Sequence, residues 1–155
     1  MINISGSLFM NSEIDYVDYE NPLTITSCGH YVLKKLSNYE TNRPNGRKYY
    51  QLLYINRGKA YFNINGKSQP VNEGHIIIYY PNEPQKYYYY LGDNPDIYWM
   101  HFTGTKIEDI FLSVGLAPLK IYNVNVNNNY GIIFNKIIRE FQLRRINFSD
   151  LVISY

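Results

Sequence analysis

Between Tyr49 and Thr103 apolar and polar positions alternate in runs of five to eight, broken at close intervals by turn chemistry at Arg57-Gly58, Asn65-Gly66, Glu73-Gly74, Asn82 to Pro84 and Gly92 to Pro95. Runs rich in Tyr, Ile, Phe and Val with such punctuation predict antiparallel strands. The expected strands are 49–56, 59–65, 67–71, 75–80, 85–91 and 97–103. Arg57-Gly58 and Asn65-Gly66 are both expected to close hairpins, the second more firmly because Asn-Gly suits a turn with two positive φ angles. His75 to Tyr80 is continuously apolar and fits a strand covered on both faces. In Tyr87 to Tyr90, extended backbone sends two rings to each side. Along 97–103, Ile97, Trp99 and His101 share one face and Tyr98, Met100 and Phe102 the other.

Upstream, residues 1–22 lack a sustained period and read as an arm with room for one short strand. From Leu23 to Tyr39 the apolar positions are irregular, and Cys28-Gly29-His30 suggests a bend or bulge. Downstream of Gly104 the period lengthens. Thr105 is placed to cap a helix carrying Ile107, Ile110, Phe111 and Val114, stopped by Gly115 and Pro118. Leu119 to Val124 reads as an extended link. Asn127 to Asn129 then offers a cap for a helix whose Tyr130, Ile133, Phe134, Ile137, Ile138 and Phe141 form an apolar stripe, available to the barrel or to a twin. Ser149-Asp150 has the form of a further cap. The organisation is therefore an arm (1–22), a barrel (23–104) and a helical segment (105–155), in a mainly β chain of double-sheet jelly-roll type followed by C-terminal α-helices.

Composition narrows the function. The 155 residues suit a single core, and 15 Lys plus Arg against 13 Asp plus Glu give a net charge of +2 with no basic stripe to grip a phosphate backbone. One cysteine, Cys28, allows no internal disulfide, and no apolar run reaches the ~20 residues that span a bilayer. Without a secretory leader at the amino terminus, a cytoplasmic location is the expectation.

Catalytic chemistry finds little support. The three histidines, His30, His75 and His101, form no H-x-H pair, so no metal or other cofactor is expected. There is no Gly-x-Ser-x-Gly elbow and no phosphate-cradling glycine loop. Asp93 and Asp96 fit a solvated turn. What remains is a pocket lined by aromatics with a few polar tips, where an indole or phenol face meets the C–H side of a sugar and an arginine fork takes hydroxyls or a carboxylate. Trp99 is equally suited to that role and to plain core packing.

The run from Arg43 to Gly104 holds R-P-x-G, Y-x-x-x-x-I-x-x-G, G-x-x-x-x-x-Y-P and Y-W-x-H-F-x-G. With that spacing it resembles the amino-terminal ligand-binding domain of AraC-type transcription regulators. The resemblance implies a cupin-like double-stranded β-helix that binds a small effector, often a sugar, and forms a homodimer through two C-terminal helices. It also implies that DNA is met only through helix-turn-helix units lying beyond Tyr155. Carried onto this chain, the effector contacts are Arg43, Trp99 and Tyr88, the last subject to a slip of one within the tyrosine run. A histidine contact of the family's arabinose regulator falls on Ile97, with His101 as the replacement polar group. The strand near Gly29 offers His30 or Cys28. Tyr130, Ile133, Ile137 and Phe141 are the implied dimer contacts. A metal-dependent cupin enzyme, such as a sugar isomerase, is the alternative, and a carbohydrate-binding module of a secreted protein is a third reading.

Overall fold

A computed structural model describes residues 2–9, 14–116 and 120–155. Its strands are β1 (Ile2–Ser7), β2 (Thr24–Val32), β3 (Asn38–Arg43), β4 (Tyr50–Arg57), β5 (Lys59–Ile64), β6 (Lys67–Asn72), β7 (His75–Tyr79), β8 (Gln85–Tyr90), β9 (Asp96–Thr103) and β10 (Ile121–Asn123). Its helices are α1 (Ile107–Ser113), α2 (Asn128–Leu143) and α3 (Phe148–Ser154). A six-stranded sheet runs β1-β2-β9-β4-β7-β10 and a four-stranded sheet runs β3-β8-β5-β6, with antiparallel pairing throughout. This is the double-sheet, cupin-like jelly roll with helices after it.

Strand alternation then assigns every side chain a layer. Between the sheets lie Leu53, Ile55, Phe62, Ile77, Tyr79, Tyr87, Tyr89 and Trp99. On the outer face of the six-stranded sheet, Tyr54, Ile76, Ile78, Tyr98 and Phe102 pack against Ile107 and Phe111 of α1 and Phe134, Ile137, Ile138 and Phe141 of α2. β7 is covered on both faces, as its unbroken apolar run requires, with Ile77 and Tyr79 inward and Ile76 and Ile78 outward. Of the four tyrosines of β8, Tyr87 and Tyr89 point in, while Tyr88 and Tyr90 stack parallel outside at 6.5 Å.

Several local expectations change. Asn65-Gly66 does close the β5–β6 hairpin, with φ of 53° and 77° and Ile64 paired to Lys67. Arg57-Gly58 closes none, because β4 and β5 belong to different sheets and the turn carries the chain from one layer to the other. The bulge of β2 falls between Ile25 and Ser27, leaving Cys28-Gly29-His30 inside a continuous strand. Thr105 does not cap α1; Lys106 occupies that position without a side-chain bond, and the Thr105 hydroxyl donates to the Asn21 carbonyl at 3.2 Å. Asn127 caps α2 by accepting from Asn129 N at 2.9 Å. α3 begins before Ser149, after Asn147 in a left-handed conformation. α1 ends ahead of Gly115, which takes φ +75°, whereas Pro118 as a stop and Leu119 as the start of the link lie outside the described residues.

The arm is built into the fold. β1 pairs along its length with β2, from Ile2 opposite Val32 to Ser7 opposite Ser27. Asp18 clasps the next turn, accepting from Glu20 N, Asn21 N, Asn21 Nδ2 and Thr24 Oγ1 at 2.6–2.9 Å. Its own N–H donates to Thr103 Oγ1, at the end of β9.

Candidate functional site

A hollow of about 400 Å³ opens where the edges of the two sheets face each other, between β1–β2 and β3. Its size lies at the lower end of the ~300–1,000 Å³ typical of small-molecule pockets. The β9 alternation that sends Ile97, Trp99 and His101 inward places the last two on its floor.

Trp99 is only 4 % exposed and its ring lies against Gly29, opposite it on β2. Its Nε1–H is buried and finds no hydrogen-bond acceptor among the described residues. His101, 2 % exposed, sits 4.7 Å from the Trp99 ring centroid and 4.9 Å from that of Tyr49. Ser27 Oγ lies 2.9 Å from His101 Nδ1 and fixes the plane of the imidazole. Tyr31 and Tyr39 form an aromatic wall, their centroids 5.4 Å apart.

Charge enters from β3 and the loop after it. Arg43 is half-buried at the end of β3, and Arg47 is 7 % exposed despite its charge, donating from Nη1 to Tyr49 Oη at 3.0 Å. Both arginines belong to the hollow's lining. Arg47 is also anchored through its backbone, because Asn82 N donates to the Arg47 carbonyl at 2.6 Å. Tyr87 completes the back wall: burial pushes its pKa up, while a hydrogen bond from Thr41, the Arg47 charge and a hydrogen bond with Gln51 pull the other way.

Of the residues singled out from sequence, Arg43, Trp99 and His101 come together here, and four others do not. Tyr88 projects from the outer face of β8 with its ring over Tyr90, so the aromatic of the pocket is its neighbour Tyr87. Ile97 is fully buried in the intersheet core and does not border the hollow. His30 faces outward, stacked on Tyr98 at 4.0 Å with Nε2 2.7 Å from Asp96 Oδ1. Burial opposes ionisation of Asp96, yet the hydrogen bond and charge of His30, with Asn56 and Arg57, hold its pKa below the ordinary value. Cys28 shares that outward face and is buried, which pushes the thiol's pKa up and leaves it unreactive. In place of these, β2 contributes Tyr31.

Arg47 and Gln51 were not read from sequence. A phase signal for Gln51 existed, because it lies two residues before Leu53 on the inward face of β4. For Arg47 there was none: it occupies a loop, where no period assigns direction.

The stripe of α2 goes to the barrel. Ile137 and Phe141 are each 2 % exposed against the chain's own sheet, and Tyr130 and Ile133 are half-buried in the same layer. Ile137 and Phe141 therefore have almost no surface to offer a second copy, which corrects their reading as dimer contacts. The outward face of α2 instead shows Ile132 and Leu143, each about half exposed.

Among the described residues no three of His, Cys, Asp and Glu gather as a metal site, and no helix is long and apolar enough to cross a membrane. No curated protein matches the chain in sequence. Among solved structures, ToxT from Vibrio cholerae O395, bound to (E)-4-(8-methylnaphthalen-1-yl)but-3-enoic acid, is 16 % identical with a TM-score of 0.51, covering 84 % of this chain and 53 % of that one. YhaK from Escherichia coli is 14 % identical with a TM-score of 0.53, covering 81 % and 52 %. The chain thus spans about half the length of either, and the likeness is one of fold. The family model of the AraC-like ligand binding domain matches residues 31–144, which include nearly all of the hollow's lining and the whole of α2. The chain belongs to the AraC-like ligand-binding domain family.

Proposed function

We propose that this chain is the effector-sensing and dimerising part of a transcription regulator, taking a sugar-sized molecule into the hollow and controlling DNA-binding units carried elsewhere in the protein. The observation that carries the reading is the convergence of Arg43, Trp99 and His101, from distant strands of the barrel, on one polar hollow. An aromatic floor with polar walls is the composition that binds a compound bearing both C–H faces and hydroxyls.

The arm supplies the route from pocket to helix. Asn3 of β1 lines the hollow, and further along the same segment Gln142 Nε2 donates to Ser5 O while Arg144 Nη2 donates to Ser7 O and Leu8 O, at 2.8–3.1 Å. Effector binding that favours one seating of β1 also biases the end of α2, a population shift between arrangements of two protomers. The homodimer uses the outward face of α2 around Ile132 and Leu143, and the regulator works in the cytoplasm.

A thermal-shift screen of a sugar library tests this reading, since a ligand that binds only the folded state raises the melting temperature. Binding that survives Trp99→Phe together with Arg43→Gln would remove the hollow as the effector site.

A further inference from the structure

A second hollow, of about 530 Å³, lies between the β5–β6 hairpin, the turn joining β7 to β8 and the end of β3. Its size is that of a small-molecule pocket, and it shares only Asn42 with the lining of the first. Gln85 borders it from the first position of β8, where its backbone is paired opposite Arg43. Alternation along β8 puts the Gln85 side chain on the inward side with Tyr87 and Tyr89, and none of its surface reaches water. Yet Oε1 and Nε2 both lack a hydrogen-bond partner among the described residues.

A buried carboxamide in that state calls for a physical reason. Folding strips the amide of water, and native interiors return a partner to nearly every such group. An apolar residue of similar volume would fill the same space without the penalty. The charged neighbours in the wall are already engaged. Glu83 accepts from Tyr80 N at 2.9 Å and from Lys120 Nζ, and Lys120 Nζ also stands 4.2 Å from the centre of the Tyr79 ring. With that acid and base closed on each other, Gln85 is the group whose bonding capacity remains open.

A carboxamide sets a specific condition on what can meet it. It offers an N–H donor beside a C=O acceptor in one plane, so it is matched by a molecule carrying an acceptor beside a donor along one edge. The same side chain reads the N6/N7 edge of adenine by this pairing. The remaining lining suits a flat ring, because Pro44, Ile64 and Pro84 supply apolar walls and the Lys120–Glu83 pair is neutral as a unit.

We propose that the second hollow is a further ligand site, taking a planar heterocycle that bears a donor and an acceptor side by side, of which a nucleobase is the type, with Gln85 as the residue that reads its edge. This site stands independently of the sensor reading of the first hollow.

Calorimetry and thermal shift with three matched pairs test it: 1-methyluracil and 1,3-dimethyluracil, 9-methyladenine and N6,N6,9-trimethyladenine, succinimide and N-methylsuccinimide. Each second member keeps the ring and loses the donor of the edge. At least one parent is expected to bind at least tenfold more tightly than its methylated partner, to raise the melting temperature, and to shift the Gln85 side-chain N–H resonances in NMR spectra. Gln85→Leu is expected to weaken that binding at least tenfold while melting, without ligand, no lower than the wild type, since it removes two unanswered polar atoms. A glutamine with a purely structural role would instead lower the melting temperature on replacement. Should the branched leucine prevent folding, the unbranched Gln85→Met carries the same test, and the resonances of the unaltered protein carry it without any variant. Methylated members binding as well as their parents would overturn the edge reading. Parent binding undiminished in the variants, or Gln85 resonances unmoved by a bound parent, would overturn the site. Silence of all three parents overturns the proposal, while the sugar screen decides the sensor reading separately.

Discussion

The Trp99 indole lies so close over Gly29 that a β-carbon built there would come within 2.4 Å of its Cε2 and Cζ2. Gly29 is not at a turn; it sits in the middle of β2, opposite Trp99 on β9. The glycine is therefore a seat for the ring, and the bare strand backbone lets the indole lie flat on the floor of the hollow.

Gly29→Ala is accordingly expected to displace Trp99. Overpacking of this kind costs about 1–3 kcal/mol, and urea denaturation followed by circular dichroism measures it. Tryptophan emission in the folded variant should shift in the same preparation; an unshifted spectrum with full stability would show that the ring has room the geometry denies it.

Trp99 itself should be tested by Trp99→Phe, because emptying so buried a position with alanine costs about 3–5 kcal/mol and confuses stability with binding. The phenylalanine variant is expected to stay folded and lose at least tenfold in effector affinity by calorimetry. Tyr87→Phe should weaken binding and Tyr88→Phe leave it unchanged, since only the first ring faces the hollow. The reverse order would restore the sequence register.

Two isoleucines one and a half turns apart on α2 separate folding from association. Ile137→Asp buries an unpaired carboxylate in the layer between α2 and the sheet, an expected loss of about 3–5 kcal/mol in thermal or urea denaturation. Ile132→Asp, at 53 % exposure, should leave the melting temperature of the monomer nearly unchanged and raise the dimer dissociation constant in sedimentation. An unaltered dimer would move the interface off this face.

Asp18 sets an acid limit on stability. Hydrogen bonds from the Asn21 N–H, the Thr24 hydroxyl, the Asn21 amide and the Glu20 N–H hold its carboxyl well below the usual carboxylate range. A depressed folded pKa means that the unfolded chain takes up the proton first on acidification. The contribution is thus complete above about pH 4, the unfolded value, and is lost as pH falls through the folded one. Asp18→Asn is expected to cost about 1–3 kcal/mol at pH 7. Denaturation across pH 2–7 should show the gap between wild type and variant narrowing only toward the acid end; a gap that widens there would reverse the assignment.

What the chain determined by itself was whatever depends on neighbours in sequence. Period-two alternation fixed Ile97, Trp99 and His101 on one side of β9, Asn65-Gly66 fixed a tight hairpin, and three- and four-residue spacing fixed the α2 stripe. The family motifs reached further, bringing Arg43 into the site before any coordinate did. Tertiary structure decided everything that depends on which face meets which partner. Alternation says that Tyr87 and Tyr88 point oppositely but not which points inward, and pairing with β3 and β5 settles it. The same pairing sends β4 and β5 into different sheets across an unremarkable Arg57-Gly58 turn. It commits the α2 stripe to its own barrel, turns His30 toward Asp96, and folds the loop arginine Arg47 into the hollow. These are contacts between segments far apart in the chain, made by burying apolar surface that carries no address of its own, so the local pattern names the faces and only the folded molecule matches them.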